Sequence, residues 1–482
     1  MGLLGILVAL GLLIWLAYRG WSVLLLAPAS SVLAAGLAGE PLLAHWTQTF
    51  MGSAAHFTMQ FFPIFLLGAL FGKLMEDSGS VSSIAKFMTE RLGPKRSVLA
   101  VVLAGAIVTY GGVSLFVAFF VLAPMADELF RAASIPKRLM PAAIALGTST
   151  FTMSALPGTP AIQNAIPMPF FGTTPFAAPG LGITASVVML GFGLYWLARA
   201  EAKARSKGEG YGEAAPTRDA AEDLVVRERA TTAGTFDPAE VSHGHQSAAG
   251  PPITLAALPL VVVVMVNLVM SLFILPRADA SFLADEAWGA TSLAAVGGVW
   301  AVVTSLAAAI VVLIAVNYSR LPTLRASMDA GANASVLPVL SVASLVGFGS
   351  VVAALPAFAM VRNWVLSIEG GPLVSLAVAT NLLASLTGSA SGGLTIALDA
   401  LGATYLRIAT EHGIDPGLLH RVAVIGAGTL DSLPHNGAVV TLLAVCNSTH
   451  RESYFDIVMV SIVGGLLALV TVIGLGTAFG SF

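Results

Sequence analysis

Lys, Arg, Asp and Glu together make up only 10% of the 482 residues, against about 25% in soluble proteins, so the chain has little charge with which to clothe a water-facing surface. Cysteine is nearly missing. Cys446 stands alone, which excludes an intramolecular disulfide and argues against a thiolate metal site. The net charge of −3 provides no basic surface for nucleic acid. P-loop, HExxH and Gly-x-Ser-x-Gly motifs are all absent, so neither ATP-driven transport nor an embedded hydrolase has support, and nothing calls for a cofactor.

What is there is hydrophobicity. Apolar residues make up 56% of the chain and recur in runs of about 20, the length that crosses a hydrocarbon core of about 30 Å as a helix. The runs are continuous rather than alternating, which speaks against barrel strands. An all-α polytopic protein of the lipid bilayer is expected. The first run lacks a basic leader and a small-residue cleavage site and reads as a retained span.

One composition shift interrupts this pattern. Residues 199–252 are polar and mixed in charge, and read as a cytoplasmic linker between two repeats, 1–198 and 253–482. His243 and His245 inside it read as a solvated pair. The halves share an order of landmarks: Gly111-Gly112-Val113-Ser114, Ile135-Pro136, Gly147, Thr150 and Leu156-Pro157 pair with Gly392-Gly393-Leu394-Thr395, Ile414-Asp415-Pro416, Gly426, Thr429 and Leu433-Pro434. Orientation follows from the cations. With Arg19, the Lys73 to Arg96 group, Arg131 to Arg138, the linker, Arg320, Arg325 and Arg451 in the cytoplasm, only Arg277, Arg362, Arg407 and Arg421 remain outside. The cation-free stretch 39–56 reads as an external loop.

This topology requires segments 98–126 and 371–402 to enter and leave on one side. Each has a Gly-rich centre, TYGGVS and TGSASGG, and each is expected to be a re-entrant helical hairpin, with legs of about 12 residues reaching about 18 Å. Five crossings plus one hairpin per half invert the second repeat relative to the first. After each hairpin comes a broken helix, 138–168 and 418–446, interrupted at SALPGTP and DSLPHNG, because Pro lacks the backbone donor and Gly weakens the helix. Irregular backbone at that depth belongs in buried or cavity-lining places, so two tips and two breaks are expected to meet.

None of the four pieces contains Lys or Arg. An anionic substrate would be held by helix ends and by polar groups at the tips and breaks. The candidates are Tyr110, Gly111, Gly112, Ser114, Thr152, Ser154, Gly158, Thr159, Thr387, Gly388, Ser389, Ser391, Gly392 and Asn436, with Thr150 and Thr395 beside them. Asp431 and His435 stand apart, since an ionisable group at the centre of a membrane costs about 2.5–3.5 kcal/mol. Two readings are open. Asp431 or Ser432 caps the restarted helix with His435 neutral, or the two residues handle a coupled proton. Asp399, Asp127 and Glu128 are weaker candidates for the same work, and Asn381 is expected to hydrogen-bond across the second hairpin.

FLLGALFGKLMEDSGSVSSIAKFM at 65–88, with TGSASGG and LPHNGAV in their places, resembles the gluconate:proton symporter (GntP) family. YRGWSVLLLAP and LDSLPHNGAV are similar to the branch described as D-β-hydroxybutyrate permeases. The first break, SALPGTP, differs from the histidine- and proline-rich break of gluconate permeases. The resemblance implies a proton-coupled symporter of a small hydroxy-monocarboxylate in a bacterial inner membrane. Membership in the wider ion-transporter superfamily implies the hairpin architecture, often a homodimer, and an elevator-like moving domain. Alternatives from the residues themselves are a sodium-coupled carboxylate carrier, a passive channel or a membrane sensor.

Overall fold

A computed structural model describes residues 2–19, 21–212, 250–434 and 436–482. These are helical throughout, with no strand among the described residues. His435, His243, His245 and most of the linker lie outside them.

The first half opens with two short apolar helices packed on each other, α1 (Gly2–Tyr18) and α2 (Val23–Ala38). Ser22 caps α2 by accepting from Leu24 N–H, and Gly39 ends it in the left-handed region at φ 79°. The helix α3 (Leu42–Asp77) follows. It takes in most of the 39–56 stretch expected as a loop, because that stretch holds one Gly and one Pro after residue 40 and the helix absorbs its irregularity as a π turn over His45–Phe50. The amphipathic α4 (Ser80–Leu92) then bends by 102° into α5 (Ser97–Tyr110). A tight tip at 111–114 connects α5 to α6 (Leu115–Ala132), with Ser114 capping α6. The first broken helix is α7 (Met140–Thr148) and α8 (Phe151–Ser154), an irregular turn, then α9 (Ile162–Ala165) and α10 (Pro167–Phe171). The helix α11 (Pro179–Ser206) closes the half. It runs past Arg199, where the composition changes, because Arg205 pairs with Glu201 and donates to Ala133 O.

The second half repeats this order. It consists of α12 (Ile253–Arg277), α13 (Leu293–Arg320), α14 (Leu324–Ala354) and α15 (Phe358–Leu366). The hairpin α16 (Pro372–Thr387) and α17 (Ala390–His412) comes next, then the broken helix α18 (Pro416–Thr429) and α19 (Gly437–Val445), and last α20 (His450–Phe479). Among the described residues, α3, α11, α12, α13, α14 and α20 are each long and apolar enough to cross a membrane.

Contacts between the halves are reciprocal. The end of each broken helix packs on the outgoing leg of the other half's hairpin, α19 on α6 and α9–α10 on α17. Likewise α2 packs on α14 while α13 packs on α3, and the pairs α3–α14 and α11–α20 cross the symmetry axis. The halves are inverted. The start of the first broken helix lies at the C-terminal end of α11, where Arg138 pairs with Glu209 at 2.7 Å and Lys137 N–H donates to Tyr211 O. The start of the second lies at the N-terminal end, where Gly417 meets the Ala178 backbone. A 28-residue helix separates these ends by about 42 Å.

Two expectations about the hairpins change. The outgoing legs have 18 and 23 residues, longer than the expected 12, because their apolar pattern continues past the segment bounds. The Gly392-Gly393 pair lies inside α17 instead of at the tip, which falls at 388–389. Ser389, the α17 N-cap, is therefore the structural partner of Ser114. Gly393 instead lets the two legs touch, since a Cβ there would sit 2.2 Å from Ala384 N.

The Gly147–Gly426 pairing has a shared physical cause. Each lets the first part of its broken helix press on the entering leg of its own hairpin. A Cβ on Gly147 would lie 2.4 Å from Val102 O, and one on Gly426 2.4 Å from Thr380 Oγ1. Small residues at such crossings replace the hydrophobic drive that lipid removes. Gly426→Val is expected to cost about 1–3 kcal/mol through overpacking, measured as a lower melting temperature in detergent. Gly191→Val, where a Cβ meets nothing within 4 Å, should leave that temperature unchanged.

The Gly-Lys-x-x-x-Asp stretch of α3 is a buried clasp. Lys73 Nζ lies 2.8 Å from Asp77 Oδ1, and Ser327 of α14 donates to Asp77 Oδ2 at 2.6 Å. A buried charge persists only when paired and hydrogen-bonded, and here the pairing fastens α3 to its symmetry mate. At the same end, Tyr211 donates to Asp127, and Asp127 pairs with Arg131 at 2.9 Å. Burial and the Asp127 neighbour push the Tyr211 hydroxyl up from its ordinary range.

Candidate functional site

Both tips and both breaks face one cavity of about 200 Å³. Tip one contributes Gly112, Val113 and Ser114, and break one contributes Pro160, Ala161, Ile162 and Gln163. Tip two contributes Gly388, Ser389, Ala390 and Ser391, and break two contributes Asp431 and Asn436. The symmetry mates α3 (Ile64, Phe65, Gly68, Ala69) and α14 (Ala334, Ser335, Pro338, Val342) form two further walls. Asp431 is the one ionisable group among these lining residues.

Asp431 does not cap the restarted helix. Asn436 does, accepting from Ala438 N–H at 2.7 Å, because the 3₁₀ turn Leu430–Ser432 carries Asp431 away from α19 toward the hairpin. There its Oδ1 accepts from Ala390 N–H and from Asn436 Nδ2, each at 2.7 Å. Asn436 Nδ2 also donates to Gly388 O at 2.8 Å. The carboxylate thus sits on the N-terminus of α17, where unpaired N–H groups and the helix dipole favour negative charge. Break two is laced to tip two through these bonds. In the first half the corresponding tie is neutral. Tyr110 Oη donates to Pro157 O at 2.8 Å, and Thr109 donates to Thr152 Oγ1 at 3.1 Å.

The remaining sequence candidates divide by what satisfies them. Gly112, Ser114, Gly388, Ser389, Ser391 and Asn436 line the cavity. Tyr110, Thr152, Ser154 and Thr387 lie off its walls, their hydroxyls donating to Pro157 O, to Gly147 O and Thr148 O, to Thr150 O, and to Leu383 O respectively. Thr150 back-bonds to Leu146 O. Such back-bonding is the ordinary habit of Ser and Thr in helices. Gly111 abuts Leu260 and Gly392 abuts Leu345. Gly158 and Thr159 belong to a network behind the break. Asn164 donates to Thr159 O and Pro175 O, and Asn267 donates to Gly158 O. Asn381 donates to Ala377 O on its own helix, not across the hairpin, since Gly426 brings α18 close to that face. Asp399 lies outside this cavity and accepts from Ser350 at 2.6 Å.

Some residues of the site carried no clear signal in the sequence. Thr109, Gln163 and Ser335 line the cavity, and Gln163 Oε1 is buried without a partner among the described residues. The available signal for Gln163 was its place just after a break, matching Asn436. Arg421, counted among the external cations, is fully buried in α18. It donates to Ala177 O at 2.6 Å and to Asn164 Oδ1 at 3.4 Å. His420 beside it meets Thr173 Oγ1 at 2.6 Å and Asn164 Oδ1 at 3.1 Å. A cation-counting rule sees charge and sequence position only, and a side chain turned into the protein escapes it.

Comparison with known proteins agrees with this architecture. The model of the GntP family permease matches residues 1–173. The chain is 40% identical to the uncharacterized transporter YxjC of Bacillus subtilis (strain 168) over 470 residues, 96% of each chain. It is 38% identical to the high-affinity gluconate transporter of Escherichia coli (strain K12) over 106 residues, 21% of this chain and 23% of that one. Among solved structures, Neisseria gonorrhoeae MtrF, reported as illuminating a class of antimetabolite efflux pumps, superposes with a TM-score of 0.54 at 14% identity, covering 91% of this chain and 83% of that one; this shows a shared fold. With the relative matched over nearly its whole length and the family model agreeing, the chain belongs to the GntP permease family, as a multi-pass membrane transporter and not an enzyme.

Proposed function

We propose that this transporter is a proton-coupled symporter of a small hydroxy-monocarboxylate, of the size of 3-hydroxybutyrate or gluconate, in a bacterial inner membrane. The observation that carries the reading is Asp431 on the N-terminus of α17, at the wall of a cavity with no cation among its described lining residues. A substrate carboxylate seeks the same helix-end donors. Two carboxylates at about 4 Å repel by about 4 kcal/mol at an effective dielectric of 20, so the substrate anion is admitted when Asp431 carries a proton. Proton and anion then travel together with no net charge. His435, next to Asn436, is assigned to the same proton handling.

Gly112, Ser114, Gly388, Ser389, Ser391 and Asn436 are assigned to substrate contact. Tyr110, Gly111, Thr152, Ser154, Gly158, Thr159, Thr387 and Gly392 are assigned to holding the tips and breaks in place. The repeats are taken as 1–198 and 253–482, with the 199–252 linker and the Arg138–Glu209 face in the cytoplasm, where the positive-inside rule puts the denser Lys and Arg.

Purified protein in sodium-free proteoliposomes with an acid exterior tests this. One labelled carboxylate is competed with gluconate, 3-hydroxybutyrate, lactate, citrate and D-serine. Accumulation should collapse with a protonophore, and a hydroxy-monocarboxylate should compete best. Uptake that requires sodium and ignores the protonophore would sink the proton assignment.

A further inference from the structure

A second cavity of about 150 Å³ lies along the same two helices as the first. Its walls include Ser53, His56 and Gln60 of α3 and Thr395 and Asp399 of α17. On α3 the central cavity takes residues Ile64 to Ala69 and the second takes residues up to Phe61. On α17 the central cavity takes Ala390 and Ser391 and the second takes Thr395 and Asp399. Because α17 runs from its tip toward Asp415 and the N-terminal end of α11, the second cavity lies on the external side as assigned above.

Apolar side chains separate the cavities on α3, where Phe61 and Ile64 are both buried. On α17 the separation is polar. Ser391, Thr395 and Asp399 follow at four-residue spacing, which places them on one helix face with steps of about 6 Å. Thr395 Oγ1 donates to Ser391 O at 2.7 Å, and Ser391 Oγ lies 3.2 Å from Ser389 Oγ. Ser389 adjoins Ala390, whose N–H is held by Asp431. The stripe therefore begins at a carboxylate in the outer cavity and ends beside a carboxylate in the central one.

An anionic substrate has no reason to follow a carboxylate-lined route without a Lys or Arg, whereas a proton does. His56 faces the same cavity as Asp399. Of the other elements packed on α17, α16, α9 and α10 contain no titratable residue, and those of α14, Arg325 and Asp329, pair with each other at 3.7 Å outside its Val336–Ala354 stretch, which packs on α17. α18 contributes His420 and Arg421, which are engaged by Asn164, Thr173 and Ala177.

We propose that Asp399, Thr395 and Ser391 form a proton route from the external cavity to Asp431, separate from the path of the substrate. Asp399 takes a proton from external water. Each hydroxyl, with water between, accepts a proton on its oxygen and passes on its own hydrogen, and the proton ends on the Asp431 carboxylate, leaving the hydroxyls unchanged. The proposal rests on the reading of Asp431 as the coupling group.

The test uses the full chain in proteoliposomes enclosing a pH-sensitive dye, with external 3-hydroxybutyrate or gluconate, whichever the panel identifies. Asp399→Asn should slow substrate-driven proton influx by about tenfold or more while proton-independent exchange of labelled for unlabelled substrate continues. Thr395→Val should slow the influx likewise, and Thr395→Ser, which keeps the hydroxyl, should restore it. Should Asp399→Asn lose exchange as well, the Val/Ser contrast at Thr395 decides. Wild-type influx in Asp399→Asn, or equal influx in the two Thr395 variants, overturns the route. A wild-type protein without substrate-driven proton influx overturns the underlying symport reading instead.

Discussion

Asp431→Asn is expected to abolish uphill accumulation while sparing exchange. One proton per substrate anion multiplies the equilibrium accumulation by about ten for each pH unit, so an inward gradient of about two units should give about 100-fold accumulation in the wild-type protein. The asparagine is isosteric, and its side-chain oxygen still accepts from Ala390 N–H, the bond that ties break two to tip two at 2.7 Å. What it loses is the exchangeable proton. Accumulation should fall to about onefold, while counterflow of labelled against unlabelled substrate, which moves no net proton, continues. Unchanged accumulation would remove Asp431 from the mechanism. Asp431→Ala, which also frees the tip, should depress exchange as well, and comparing the two variants separates proton handling from anchoring.

Arg421→Ala should be the most destabilising single change in the second broken helix. The side chain is fully buried, and its guanidinium satisfies Ala177 O through both Nε and an Nη. Removing it leaves a cavity, worth about 2–5 kcal/mol for large-to-small changes, and an orphaned buried carbonyl, worth about 1–3 kcal/mol. Even a loss near about 4 kcal/mol is a large share of a typical stability. The expected readout is failure to purify as a monodisperse species or a melting temperature far below wild type. Arg421→Lys keeps the charge but not the planar fork that serves several acceptors at once, and should fall between. If Arg421 were instead the external cation its position suggests, both substitutions would be silent.

Local chemistry was readable directly from the chain. The apolar runs become α3 and α11 to α14, and the Leu-Pro and Gly pairs stop the helices at both breaks, because donors lost at Pro and the weak helix preference of Gly act within a few residues. Even the Gly147–Gly426 correspondence, read as pattern, marks two equivalent helix crossings. The second tip falls within TGSASGG, but Gly392-Gly393 is not the counterpart of Gly111-Gly112, since a Gly pair serves a close crossing as readily as a turn.

Which of the many hydroxyls face the cavity, and where each charge goes, could not be settled that way. Ser114 and Ser389 line the cavity while Thr152 and Ser154 bond back to their own turns, a choice made by rotation about each helix axis once its neighbours are packed. Asp431 takes its donor from 41 residues away and Arg421 its acceptor from 244 residues away. The sequence by itself determined the helices, their breaks and their inverted order, because those follow from short-range backbone chemistry and the bilayer's length scale. Only the tertiary structure decided that a lone carboxylate meets a hairpin tip and that a polar stripe joins two cavities, because buried polar groups take whichever partner the packing of distant segments brings within about 3 Å.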